Sequence, residues 1–163
     1  MTTPEKILDH LRSQSKYLVV AESITGGLLT ASFTAIAGAS DVLLTGIVAY
    51  DTKLKHELLG VSNQLLENQG PVDPEVAAQM AEGVRARIAS KTGLDSEQIV
   101  AISTTGVAGP SPQGEKPVGE LYICVSQASA TKVFAHQLAG DRSQIQNSAV
   151  LLGVGHLWDE ITG

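Results

Sequence analysis

With a single cysteine, Cys124, the chain can form no intrachain disulfide. Cys124 lies in the apolar run Leu121 to Val125, which marks it as a buried, inert thiol. Aromatic residues make up only 4% of the chain, so the core must be aliphatic. Lysines and arginines form no cluster and the net charge is −6, which argues against nucleic acid as a partner. No apolar stretch is long enough to span a bilayer, so no membrane partner is expected. Met1 to Asp9 carries acidic residues and no apolar signal core, which points to a cytoplasmic location. The histidines, His10, His56, His136 and His156, are never four residues apart, and no cysteine or carboxylate completes a ligand spacing. No metal is therefore expected.

What is present suits a globular chain. The sequence has 163 residues, 43% hydrophobic and 17% charged, and is expected to form one domain over 1–163. Pro4 opens a short helical pattern with Ile7, Leu8 and Leu11 on one face. Tyr17 to Ala21 is a continuous apolar run, as in a strand buried on both sides. A helix is predicted over Leu28 to Ile36, a strand over Val42 to Tyr50, a helical turn or two over Leu54 to Leu59, and a short helix at best over Gln64 to Asn68. Asp73, Pro74 and Glu75 are strong start signals for a helix whose buried face carries Val76, Met80, Val84 and Ile88. Ile99 to Ser103 reads as a strand, followed by a loop from Thr105 to Lys116. Val118 to Ser126 and Lys132 to Leu138 read as a hairpin. Asp141 caps a last helix, with Ile145, Ala149, Leu152 and His156 on one side. This order predicts an α/β fold: a three-layer α/β/α sandwich around a mixed, mostly parallel sheet of about five strands. Gly153, Gly155 and the aliphatic surfaces invite close packing, and a homo-oligomer is expected.

In such sheets ligands collect beyond the carboxyl ends of the strands. Three segments fall there: Ser23 to Gly27, Tyr50 to Lys55, and Thr105 to Pro110. Ser23 sits between a buried strand and a glycine-containing helix start, where free N–H groups can hold a phosphate or stabilise an oxyanion. The local sequence equally allows Ser23 or Thr25 to serve as a helix cap. Lys55 can act as a base if burial or a nearby positive potential keeps it neutral, and Lys53 is its rival by spacing. Tyr50 can lend a hydroxyl to the same site or pack at the sheet edge. His56, beside Lys55, is a further candidate base. Gly106 and Gly109 allow the backbone to approach a ligand. Arg142 sits at the helix end that disfavours cations, so it faces an anion or pairs with Asp141.

These segments together resemble a known family. Ala21-Glu22-Ser23-Ile24-Thr25-Gly26-Gly27, Gly46-Ile47-Val48-Ala49-Tyr50 with Lys55 and Leu58-Leu59-Gly60-Val61, Thr105-Gly106-Val107-Ala108-Gly109-Pro110, Lys116-Pro117-Val118-Gly119 and Gly140-Asp141-Arg142 look like the CinA C-terminal domain. The match runs in order over nearly the whole chain. The resemblance implies a nicotinamide-nucleotide amidohydrolase, which converts nicotinamide mononucleotide and water to nicotinate mononucleotide and ammonia. It implies a serine nucleophile, a lysine base and a supporting tyrosine, which fall on Ser23, Lys55 and Tyr50. Thr105, Gly106 and Arg142 fall on positions associated with substrate binding or active-site support, and the helix start after Ser23 adds Thr25, Gly26 and Gly27 as candidate binding residues. Ile24 departs from the usual cysteine, Asp51-Thr52 from a common Ser-Asn, and Thr45 from a common glycine. The pyrophosphatase activity linked to an additional N-terminal domain in many relatives is not transferred.

The expected mechanism is acyl transfer through Ser23 without metal, nucleotide cofactor or ATP. Oxyanion donors are expected near Thr25 to Gly27 or near Gly106. The alternatives are a non-catalytic module that binds a phosphorylated metabolite, and an amidohydrolase for another small amide.

Overall fold

The computed structural model describes residues 2–163. Helix α1 (Pro4–Ser13) is followed by β1 (Tyr17–Glu22), α2 (Leu28–Thr34), β2 (Leu43–Val48), α3 (Thr52–Leu59), α4 (Asn63–Gln69) and α5 (Pro74–Thr92). Then come β3 (Ile99–Gly106), β4 (Glu120–Ser126), β5 (Thr131–Gln137) and α6 (Arg142–Thr162). The five strands form one sheet in the order β2-β1-β3-β4-β5. β1 pairs in parallel with both β2 and β3, and β4 and β5 add an antiparallel edge.

The layers follow from alternation along the strands. Leu18 and Val20 of β1 face a core built with α1, α2 and α6. Val19 and Ala21, one residue out of step, face a core built with α3, α4 and α5. A strand buried on both faces has no polar side to show, which is why β1 is an unbroken apolar run. The predicted three-layer α/β/α sandwich is the observed fold.

Capping sets the helix starts. Asp73 accepts from the backbone N–H groups of Glu75 and Val76, and Asp141 forms a reciprocal capping box with Gln144. On α5 the row Val76, Met80 and Val84 is fully buried, while Ile88 is half-buried. A side chain at Gly83 would lie 1.7 Å from the Leu59 carbonyl oxygen. That glycine lets the end of α3 rest against α5 and fixes the helix that carries Lys55.

Several boundaries differ from the sequence reading. Tyr50 lies beyond β2, which ends at Val48. Thr105 and Gly106 belong to β3 rather than to a loop. α3, which carries Lys55, starts at Thr52, two residues before the predicted Leu54, because Asp51 caps it. α2 stops at Thr34, two residues early. On α6 the buried row is Ile145, Ala149, Gly153 and Leu157, not Leu152 and His156, which are half-buried. Gly153 sits within that row, against Ile102 and Leu29 of the same chain. It faces the interior of its own chain, so it gives no support to the expected oligomer.

Candidate active site

The three parallel strands end on the same side of the sheet. β1 delivers Glu22 and Ser23, β2 leads to Ala49 and Tyr50, and β3 delivers Thr105 and Gly106. Ser23 is anchored by its own N–H, which donates to the Thr104 carbonyl at 3.0 Å. It is 8% exposed, so its hydroxyl faces a cavity rather than open solvent.

Lys55 comes to Ser23 from α3. Lys55 and Leu59 are four residues apart and share the buried face of that helix, whereas Lys53 is exposed. The rotation of α3, set by the Asp51 cap, therefore resolves the rivalry between the two lysines. Lys55 is 1% exposed. Its Nζ lies 2.9 Å from Ser23 Oγ and donates to the Ala49 carbonyl at 2.7 Å. Burial pushes its pKa down from 10.5 to about 8, against a smaller upward pull from Asp51. His56 points elsewhere, with Nδ1 2.7 Å from the Val61 carbonyl oxygen, and is no base for Ser23.

Ser23, Tyr50, Lys55, Thr105, Gly106 and Arg142 all line one cavity of about 310 Å³. Thr105 reaches it from a buried position while its hydroxyl donates to the Pro71 carbonyl at 2.6 Å. Arg142 donates to the Gly109 carbonyl at 2.8 Å and to the Tyr50 hydroxyl at 2.5 Å. It does not pair with Asp141, which is occupied by Gln144 and Ser143.

Thr25, Gly26 and Gly27 do not line this cavity. The N–H groups of Gly26 and Gly27, expected at the α2 N-terminus as oxyanion donors, are already bonded within the chain. Glu22 folds back over that terminus. Its Oε2 accepts from Thr25 Oγ1 (2.6 Å), Gly27 N (3.0 Å) and Leu29 N (3.0 Å), and its Oε1 from Thr30 N (2.8 Å) and Thr30 Oγ1 (2.5 Å). Gly26 N donates to the Ser23 carbonyl. The helix end thus already holds an anion, supplied by the chain itself. Neither Ser23 nor Thr25 caps α2: its N-cap is Gly27, with no side-chain bond. Thr25 Oγ1 also lies 2.8 Å from Thr104 Oγ1, which ties the turn after Ser23 to β3.

A family model described as the CinA C-terminal domain matches residues 1–161. The chain belongs to the CinA C-terminal domain family. A CinA-like protein from Frankia casuarinae is 44% identical over 145 residues, 89% of this chain and 32% of that protein. A CinA-like protein from Solibacter usitatus is 37% identical over 154 residues, 94% of this chain and 35% of that protein. The chain spans about a third of the length of these curated relatives. The crystal structure of the competence/damage inducible protein CihA from Agrobacterium tumefaciens matches with a TM-score of 0.86 at 29% identity. That match covers 96% of this chain and 92% of the other.

Three groups of this CinA C-terminal domain escaped the sequence reading: Glu22, the Ala49 carbonyl and the Gly109 carbonyl. Glu22 had left a signal. A carboxylate directly after a buried apolar run must find donors nearby, and the hydroxyls and glycine N–H groups that follow it are the nearest supply. The two carbonyls leave none, since any residue carries one. Cys124, by contrast, is where the sequence put it: fully buried, with burial pushing its thiol up to about 12.

Proposed function

We propose that this CinA C-terminal domain hydrolyses the carboxamide of nicotinamide mononucleotide to nicotinate mononucleotide and ammonia. The observation that carries the chemistry is a buried lysine amine 2.9 Å from a serine hydroxyl at the end of a parallel strand. The family resemblance supports the substrate, and the cavity adds Arg142 for its phosphate.

In the reacting form Lys55 is neutral. One N–H donates to the Ala49 carbonyl, which turns the lone pair toward Ser23. Lys55 takes the Ser23 proton as the serine oxygen bonds to the carboxamide carbon. The carbonyl oxygen becomes an oxyanion. With the N–H groups of Gly26 and Gly27 already bonded, its donors come from the backbone between Gly106 and Gly109, which lines the same cavity, apart from the Val107 N–H, which is given to the Glu120 carbonyl. Lys55 then gives its proton to the leaving nitrogen, and the C–N bond breaks to release ammonia. Water, deprotonated by the same amine, attacks the ester on Ser23. The serine regains its proton and nicotinate mononucleotide leaves.

The test is ammonia release by the purified chain from nicotinamide mononucleotide, with nicotinamide, its riboside and glutamine alongside. Release from the mononucleotide above the other amides is expected. Release only from a different amide would keep the dyad and overturn the substrate. No release from any of them would leave a binding module as the better reading.

The pH profile is a second check. Lys55 must be neutral to accept a proton, so kcat/KM is expected to rise with pH and level off above about 8, where burial places its pKa. Asp51 favours the charged amine. Asp51→Asn keeps a good N-cap and removes that charge, so the rising limb moves to lower pH. A limb that stays in place, or moves up, contradicts Lys55 as the titrating base.

A further inference from the structure

Tyr50 has a hydroxyl in the cavity, yet that hydroxyl serves neither Ser23 nor Lys55. The dyad's polar contacts are with each other and with the Ala49 carbonyl. Tyr50 Oη accepts from Arg142 Nη2, while Arg142 Nη1 donates to the Gly109 carbonyl. The segment after β2, the loop after β3 and the first residue of α6 are thereby joined at one guanidinium. Both acceptors are neutral. Among the described residues no carboxylate lies within 4.0 Å of Arg142 in an ion pair. Two of its five N–H groups fix its plane, and the rest, with an uncompensated positive charge, remain for a ligand. On a chain of net charge −6, an anion needs such a local cation.

We propose that Tyr50 is a positioning residue for Arg142: its hydroxyl and the Gly109 carbonyl aim the guanidinium at the phosphate of a nucleotide substrate. Tyr50 then sets affinity for phosphorylated substrates and leaves proton transfer between Ser23 and Lys55 untouched. This departs from the supporting role toward the dyad that the family resemblance implies for the tyrosine. It rests on the proposed hydrolysis of a phosphorylated amide in this cavity.

The experiment compares the wild-type chain with Tyr50→Phe and Arg142→Gln on nicotinamide mononucleotide and on its dephosphorylated riboside. Tyr50→Phe removes one hydrogen bond to a charged group and keeps the ring. Its KM for the mononucleotide is expected to rise about fivefold to tenfold, with kcat within about twofold. Its kcat/KM for the riboside and its pH limb should match wild type. Arg142→Gln should show the same pattern, more strongly. A fall of tenfold or more in kcat at unchanged KM, or a displaced pH limb, would place the hydroxyl on the dyad and overturn the proposal. Unchanged kinetics on both substrates would overturn it too. A second arm does not depend on turnover: calorimetric titration of the same three proteins with inorganic phosphate. Weaker binding by Tyr50→Phe supports the arrangement even if the mononucleotide is no substrate, and equal binding by all three refutes it.

Discussion

A Lys55→Met protein is expected to lose amide hydrolysis by about 10³-fold or more and yet to melt higher than the parent. The loss follows from the chemistry. A serine hydroxyl with no base is a weak nucleophile, and a positioned base contributes on the order of 10²–10⁴ in rate, here for both proton transfers. Ser23→Ala should lose as much, and the double variant no more than either, since the two side chains act as one unit. Initial rates of ammonia release measure all three. A Ser23→Ala protein that keeps full activity removes Ser23 as the nucleophile.

The gain in stability follows from burial. Lys55 has its pKa lowered from 10.5 to about 8 in the folded chain. Between those values the unfolded chain binds more protons than the folded one, so stability rises with pH there. Below about 8 the amine is charged in both states, and the folded protein carries the whole desolvation cost, about 3 kcal/mol at 1.36 kcal/mol per pH unit. Methionine has nearly the same length and no charge, so it removes this cost. It also leaves the Ala49 carbonyl without a partner, at about 1–3 kcal/mol, while the Ser23 hydroxyl can turn to the cavity it lines. The balance is a net gain of up to about 2 kcal/mol at pH 7, a Tm rise of up to about 6 °C for a chain of this size. The difference should close as pH rises from 8 toward 10.5. Calorimetry at pH 7 and pH 10 measures it, and a variant less stable at pH 7 would count against the buried, strained amine. A lysine kept where it costs stability is what a function requiring a neutral amine at moderate pH needs.

How much of this was legible in the sequence depends on the range of the interaction. The layers were legible because β1 and β3 are apolar runs bounded by turns, and because Asp73-Pro74 and Asp141 announce helices locally. The buried row of α6 was misread because Gly153 offers no apolar side chain to count, although it lies in the core against Leu29 and Ile102. The choice between Lys53 and Lys55 was within reach. Once Asp51 is taken as the cap, Lys55 falls on the face of Leu59 and Lys53 does not. The bond from Arg142 to Tyr50 was not within reach, since 92 residues separate them and nothing in either neighbourhood names the other. The free donors at the α2 N-terminus were misjudged for a different reason. The N–H groups are countable in the sequence, but the acceptor beside them, Glu22, reaches them through a turn that only the folded backbone defines.

Glu22→Gln is expected to be the most destabilising conservative change in the site, by about 3–5 kcal/mol. Glu22 is fully buried and every hydrogen bond its carboxylate makes is as an acceptor. Oε2 takes the N–H groups of Gly27 and Leu29, and Oε1 takes that of Thr30. Whichever oxygen the glutamine nitrogen replaces, an NH₂ group faces at least one backbone N–H with no acceptor between them. The orphaned N–H groups face a side chain that is fully buried, where water has little access, and the hydroxyls of Thr25 and Thr30 cannot satisfy them all. The expected fall in Tm is about 10 °C or more. Activity should fall as well, because the same carboxylate holds the turn through which Ser23 is set against Thr104 and Lys55. Thermal unfolding of Glu22→Gln beside Lys55→Met separates the two buried groups by sign. The carboxylate stabilises the fold it sits in, and the amine costs it stability. If Glu22→Gln melted within about 2 °C of wild type, the α2 N-terminus would not depend on this carboxylate, and its N–H groups would again be candidates for the oxyanion.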